Sequence, residues 1–243
     1  MTKAENYRTQ LRSLKTWDDF LMKESGLPGP RANLELVQTV ADLGDEALFS
    51  RYITIDADTN TPQVFLAVCG VVGLGRLVVE GKRKYMKALR ALASDSRWRI
   101  REAVAMALQR VGDADMDALL DETEKWSSGN LLEQRAAIAA LCEPRLLSDA
   151  KNTKRVLNIL ADVTQSIAQE RSRKTEEFQV LRKGLAYCWS VAVAALPDEG
   201  KKKMEKWFVS DDRDVRWVMR ENLKKNRLVR MDASWVEKWQ GKL

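Results

Sequence analysis

The 243 residues are 45% hydrophobic and 31% charged, the composition of a globular chain that can bury a sizeable core. Lys and Arg outnumber Asp and Glu by 41 to 35, and this net charge of +6 is too small to indicate a dedicated nucleic-acid binder. The sequence contains no histidine, which excludes Ser-His-Asp and Cys-His hydrolases, histidine-containing zinc deaminase sites and histidine-based phosphotransfer.

The cysteines and the apolar segments indicate which kinds of site and which cellular compartment to expect. Cys69, Cys142 and Cys188 are far apart and form no Cys-x-x-Cys motif, so zinc fingers, thioredoxin-type redox sites and a disulfide framework lack support. The first ten residues are polar, and the longest apolar run, residues 64–75, is shorter than a membrane span. We therefore predict a cytoplasmic protein with no metal, no cofactor and no membrane partner.

Helix formers dominate the chain, and only five prolines and twelve glycines interrupt them, so an all-α fold is predicted. Residues 1–30 precede the periodic segments and are predicted to form an N-terminal cap. The clearest helix covers residues 97–111 and is predicted to end at Gly112. Its apolar residues follow the i, i+3, i+4, i+7 spacing of one helix face: Ile100, Ala103, Val104, Ala107, Leu108 and Val111.

This apolar stripe recurs along the chain with the same helical spacing. In the copy that begins at Ile100 and in the three copies that follow, an arginine comes directly after the first stripe position. The arginines are separated by 34, 47 and 34 residues and are Arg101, Arg135, Arg182 and Arg216. A weaker copy begins at Phe65. Partner helices of suitable length are predicted at residues 34–43, 82–93, 115–125, 156–170 and 201–209. The pattern predicts one helical hairpin per repeat.

The repeats at 31–228 are predicted to form one domain, residues 1–243, as a right-handed α-α superhelix of about five hairpins. A C-terminal cap is predicted at 229–243, with an amphipathic helix at 233–240. The charge is uneven, because residues 151–243 hold 21 basic and 13 acidic side chains, a local net charge of +8.

The segment around the first strong copy resembles the second helix of a HEAT-type repeat, in which an aspartate and an Ile-Arg pair precede an Ala-rich helix. The residues that carry this resemblance are Asp95, residues 99–108 and Gly112. The resemblance implies a HEAT- or armadillo-like α-solenoid. Longer strings, at residues 98–110, 142–147, 187–192 and 220–225, resemble a group of uncharacterised bacterial HEAT-repeat proteins, which implies no function.

The chain is similar, more distantly and only in architecture, to the HEAT-like DNA-alkylation-repair glycosylases. This similarity implies a basic concave helix surface that binds DNA. Such enzymes also need a carboxylate that stabilises a developing sugar cation between aromatic residues, and no local motif of the sequence requires that assignment. Asp and Glu at the predicted helix starts are expected from capping, so no catalytic residue is assigned.

The recurring arginines have two interpretations. They could line a basic ligand-binding row, but the favoured interpretation is a structural ladder, in which Arg101, Arg135, Arg182 and Arg216 bond an aspartate or a helix end of a neighbouring repeat. Asp95 and Asp211 are the expected partners.

Two further predictions concern residues that are expected to be buried. Asn222 replaces an apolar stripe residue and is expected to form hydrogen bonds in the core. Glycines within the apolar helices are expected to allow close helix packing, and these are Gly70, Gly73, Gly75 and Gly184.

The candidate partner-binding surface lies on the last full repeat, where Trp217, Arg220, Glu221 and Lys224 fall on one helical stripe opposite the apolar one. An indole beside cations suits a polyanion, although Lys and Arg also cover aromatic rings simply by packing their methylenes over them.

Trp98 and Arg99 are added to the same set, because they lie at the start of an equivalent helix and are predicted to be exposed on the same edge. The sequence therefore predicts a non-enzymatic scaffold that binds a macromolecule through a concave, C-terminally basic surface. A protein partner is slightly favoured over nucleic acid, and the alternative is a DNA-binding or glycosylase-like protein of the alkylation-repair type.

Overall fold

Residues 2–243 are described by a computed structural model, and this part of the chain is helical, with no strand. It contains fifteen α-helices and one short 3-10 helix. The predicted all-α class is therefore confirmed. The chain divides into two compact units, unit 1 at residues 1–114 and unit 2 at residues 115–243. The right-handed superhelix stays a prediction.

Unit 1 is built around one long apolar helix. Its helices are α1 (Lys3–Ser13), α2 (Asp18–Glu24), α3 (Leu34–Leu43), α4 (Glu46–Tyr52), α5 (Pro62–Val79), α6 (Lys84–Leu92) and α7 (Trp98–Ala114). The helix α5 packs against α3 and α4, which precede it in the chain, and against α6 and α7, which follow it. The side-by-side arrangement of α3, α5 and α7 forms the core of this unit.

The helix α5 is long and apolar enough, by composition alone, to cross a membrane, with a mean hydropathy of 1.8. In the fold, however, 78% of this stretch is buried among the other helices of unit 1. Burial of this kind is what a core helix requires, and α5 forms the centre of unit 1.

Unit 2 repeats a two-layer pattern of helices. Its helices are α8 (Met116–Trp126), α9 (Leu131–Leu141), α10 (Ala150–Gln169), α11 (Glu176–Ala195), α12 (Pro197–Phe208), α13 (Arg213–Leu223), α14 (Asn226–Met231) and α15 (Ala233–Gln240). One layer contains α9, α11 and α13, each packed on the next, and the other contains α8, α10 and α12. The 3-10 helix Pro144–Leu146 joins α9 to α10.

Short polar side chains start several of these helices, as the junction sequences predict. Asn130 accepts hydrogen bonds from the backbone N–H groups of Leu132 and Glu133, and Asp212 caps α13 in the same way. These bonds satisfy donors that a helix start otherwise leaves unpaired.

The predicted helix boundaries hold at both ends of the repeats, but α10 and α12 begin at Ala150 and Pro197 rather than at residues 156 and 201, and the predicted helix end at Gly112 is wrong. Residues 34–43 and 233–240 are helical as predicted. Gly112, in contrast, is buried inside α7, which continues to Ala114. Positive φ angles occur among the described glycines only at Gly26 and Gly81, so Gly112 does not adopt the left-handed conformation that ends a helix.

Candidate partner-binding surface

The start of α13 is held to α11 by a cluster of charged side chains in unit 2, which we call the Asp214 cluster. Asp214 is only 4% exposed, and its Oδ1 accepts a hydrogen bond from Arg182. Its Oδ2 accepts a hydrogen bond of 2.9 Å from Arg173, whose Nη1 also lies 2.6 Å from Asp212. The cluster therefore ties the loop before α11, the helix α11 and the first turn of α13 together.

The electrostatics of Asp214 follow from this geometry. Burial acts to raise the pKa of its carboxyl group, but hydrogen bonds from Arg182 and Arg173 act more strongly together, and the pKa is lowered below its ordinary value. Asp214 is thus a carboxylate at neutral pH.

Trp217 is half-buried, and one face of its indole is covered. The Arg182 guanidinium lies 4.2 Å from the centroid of the Trp217 ring. This contact adds a cation–π interaction to the Asp214 cluster. Trp217 is therefore partly a packing residue, with only the remainder of its ring available to a partner.

The outer face of α13 carries the other predicted residues. Arg220 and Lys224 are exposed, and Glu221, which lies between them in the sequence, is half-buried. Glu221 accepts a hydrogen bond of 2.5 Å from Lys224. The opposite face of the helix is buried, as the apolar stripe predicts, through Val215, Val218, Met219 and Leu223.

An exposed aromatic residue lies on the neighbouring helix α11, and the sequence analysis did not select it. Tyr187 is 45% exposed, and its hydroxyl accepts a hydrogen bond of 2.6 Å from Arg227 in α14. The same guanidinium lies 4.6 Å from the centroid of the Tyr187 ring. We call the residues Tyr187, Trp217, Arg220, Glu221, Lys224 and Arg227 the basic surface.

Asn222 anchors the inner side of α13, as predicted. Its Oδ1 accepts a hydrogen bond of 2.8 Å from the backbone N–H of Ser190, and its Nδ2 donates to the carbonyls of Leu185 and Val218. Every polar atom of this buried amide is paired. The bonds to α11 fix the position of α13, and with it the orientation of the basic surface.

Three of the four ladder arginines, Arg101, Arg182 and Arg216, donate hydrogen bonds to loops or helix ends, and only Arg101 contacts an aspartate that was predicted as a partner. Arg101 donates to the backbone carbonyls of Asp95 and Ser96, and the Asp95 carboxylate itself lies 2.8 Å from Arg97. Arg182 pairs with Asp214 rather than with Asp211.

The other two ladder arginines reach different groups again. Arg216 donates to the backbone oxygen of Leu243. The Cγ atom of Arg135 in α9 lies 3.8 Å from the position that a Cβ on Gly184 of α11 would occupy.

Arg99 is corrected by the structure from an exposed binding residue to a buried one. It is 6% exposed, and it donates to the carbonyls of Thr59 and Gly29 and to the side chain of Asn60. Trp98, in contrast, is 46% exposed, as predicted. Both residues belong to unit 1, whereas the basic surface belongs to unit 2.

Sequence reasoning missed Arg173, Tyr187 and Arg227. Arg173 lies in the loop before α11, outside every periodic segment, so the 34-residue spacing does not select it. Tyr187 and Arg227 pair across 40 residues, and their closeness depends on the short helix α14, which has no repeat signal.

Comparisons with known proteins assign no family. No protein-family model and no curated protein matches the chain. Among solved structures, the chain is similar to the crystal structure of an engineered protein, with 15% sequence identity, a TM-score of 0.39 and coverage of 98% of each chain. The resemblance to HEAT repeats therefore stays a prediction.

Proposed function

We propose that the protein is a non-enzymatic, cytoplasmic scaffold whose basic surface in unit 2 binds an acidic segment of a protein partner. The observation that carries this proposal is the charge balance of α13. Its buried acid, Asp214, is neutralised by Arg173 and Arg182, whereas Arg220 projects into solvent without an ion-pair partner among residues 2–243. The outward face is therefore cationic, although the helix itself contains acids.

Two features favour a protein over nucleic acid. One face of Trp217 is already covered by Arg182, which leaves less of the indole to stack on a base. Glu221 lies among the cations of α13 and is bonded to Lys224, so it interrupts the continuous row of cations that a regular phosphate backbone favours, whereas a protein segment can place its few carboxylates near Arg220 and away from Glu221.

Nucleic acid is the second candidate, supported by a different observation. Arg227 covers one face of the Tyr187 ring, but Tyr187 is still 45% exposed, and its open face next to a guanidinium suits an unpaired base and its phosphate. A glycosylase-like activity has less support, because such a site needs an acid that faces exposed indoles, whereas Asp214 faces two arginines.

The test is a titration with poly-L-glutamate of about twenty residues as the acidic probe. In the double variant Arg220→Ala/Lys224→Ala we expect at least about tenfold weaker binding, because two exposed cations near the contact are lost. The melting temperature should hardly change, since substitutions of surface residues usually alter stability by about 0.5 kcal/mol or less.

Lys202→Ala/Lys206→Ala is the matched control, because it removes the same charge from exposed positions of α12. We expect this control to bind the probe nearly as well as the wild-type protein. Equal loss of binding in both double variants would mean that only net charge matters, and it would contradict the assignment of the basic surface.

A further inference from the structure

A pocket in unit 1, remote in sequence from the basic surface, carries a second inference. It has a volume of about 290 Å³ and lies between the loop before α3 and the helices α5 and α7. Its apolar walls are Pro30, Ala32, Leu34, Val68, Trp98, Ala103 and Met106. Leu34 and Trp98 are 54% and 46% exposed, so two large apolar side chains border a pocket that they do not fill.

The charges at this pocket are unequal. Arg31, Arg99 and Glu102 line it, two cations against one carboxylate. Arg99 is the unusual member, because it is nearly buried and all its hydrogen bonds end on neutral oxygen atoms. Among residues 2–243 it has no carboxylate partner, and its burial alone lowers the pKa of the guanidinium, which still stays charged at neutral pH.

The Arg99 geometry leaves room for a further acceptor. Its hydrogen bonds use Nε and Nη2, so the Nη1 donors take no part in them. Its guanidinium also lies 4.3 Å from the centroid of the Trp98 ring and holds the indole at the pocket wall. A buried arginine that lacks a carboxylate is a recognised means of binding an anion, because desolvation strengthens the attraction.

A second pocket adjoins the first one and indicates where the charged group of a ligand would lie. A polar pocket of about 530 Å³ shares Arg31, Ala32 and Leu34 with the apolar one. Arg31 therefore stands at the junction between an apolar site and an open polar one, and a ligand can place an apolar body on one side and a charged end on the other.

We propose that this pocket binds a small amphipathic carboxylate, with an apolar body of about eight carbon atoms against Trp98 and its single negative charge towards Arg31 and Arg99. The pocket lies at the small end of the size range of ligand sites, which matches a ligand of about ten heavy atoms. One excess positive charge matches one carboxylate. This site is independent of the proposed protein-binding function, because it lies wholly in unit 1.

Calorimetric titration with sodium octanoate, 1-octanol and sodium acetate tests both parts of the proposal. We expect 1:1 binding of octanoate that is at least about tenfold tighter than that of octanol, and no saturable binding of acetate. Equal affinities for octanoate and octanol would overturn recognition of the charge. N-acetyl-leucine is the fourth probe, and tighter binding of it than of octanoate would overturn the fatty-acid-like ligand in favour of a peptide carboxyl terminus.

Variants locate the site. Trp98→Ala should weaken octanoate binding at least tenfold, whereas Tyr187→Ala, which removes an equally exposed ring from unit 2, should leave it unchanged. Arg31→Gln, at an exposed loop position, should reduce the preference for octanoate over octanol even if the Trp98 variant folds poorly. Unchanged octanoate binding in both Trp98→Ala and Arg31→Gln would refute the site, and neither result bears on binding of the acidic probe by unit 2.

Discussion

At the residue scale, the stability of unit 2 depends on the buried charge of Asp214. It is a nearly buried carboxylate whose two oxygens are each bonded to a different arginine. Removal of one member of such a cluster leaves buried charge without compensation, and this costs more than the net value of the ion pair itself.

We expect Asp214→Asn to lower the free energy of unfolding by roughly 1.5–3 kcal/mol, the range for hydrogen bonds to charged groups. Chemical denaturation at pH 7 measures this. The control is Asp211→Asn, at an exposed position of the preceding turn, which should be nearly neutral. An equal effect of the two substitutions would contradict the assigned partner of Arg182.

The lowered pKa of Asp214 also predicts a pH dependence. The carboxylate contributes its full stability above its unfolded pKa, near 3.8, and this contribution is lost as the pH falls through the lower folded value. Between about pH 5 and pH 3 the wild-type protein should therefore lose stability more steeply than Asp214→Asn. Parallel melting temperatures of the two proteins across that range would contradict this account.

The ladder arginines show what the sequence can and cannot reveal about single residues. Their period predicts structural positions, and all those with described contacts hold loops or helices. Their partners depend on the path of the intervening loops. Asp95 was the expected partner of an arginine, but Arg97 is only two residues away and bonds it within the same turn. Repeat spacing carries no information about such local competition.

At the element scale, the glycines of α5 and α11 offer a matched pair for testing helix packing. A Cβ on Gly75 would overlap the backbone carbonyl of Ala107 in α7, which cannot move aside. A Cβ on Gly184 would instead make an ordinary contact with Ile138, 3.4 Å away. The predicted reason for the glycines, close packing, thus applies at Gly75 much more strongly than at Gly184.

We expect Gly75→Ala to destabilise the protein by about 1–3 kcal/mol through overpacking. Gly184→Ala should be neutral or stabilising by up to about 1 kcal/mol, because alanine has the higher helix propensity. Thermal unfolding of the two variants measures both. A tolerated Gly75→Ala would show that α5 and α7 can separate more easily than their packing indicates.

The long helices that sequence analysis identified, such as α5, α7 and α11, share an apolar stripe at helical spacing. The missed helices α1, α2, α4 and α14 have between six and eleven residues, and their burial rests on only one or two side chains each. In such short segments tertiary packing, rather than an amphipathic pattern, stabilises the helix. The apolar pocket beside Trp98 in unit 1 was missed for a related reason, since its lining comes from three separate elements.

At the scale of the whole molecule, charge is divided more evenly than the sequence halves indicate. Residues 115–243 hold 24 basic and 21 acidic side chains, because the acids around α8 offset the basic C-terminal segment. Several of those acids are already engaged, since Arg155 bonds Asp117, Asp121 and Glu124. The net charge of unit 2 is therefore only +3, and attraction to an anionic partner has to come from a local surface.

Because the attraction is confined to a local surface, the salt dependence of the binding affinity distinguishes most directly between a protein partner and nucleic acid. The measurement is the affinity of the wild-type protein for poly-L-glutamate of about twenty residues and for a duplex DNA of about twenty base pairs, between about 50 and 200 mM salt. We predict tighter binding of the acidic peptide and a shallow salt dependence, with a slope of log K against log salt weaker than about −3. Tighter binding of the duplex with a slope steeper than about −5 would contradict the protein-binding account and assign the basic surface to nucleic acid.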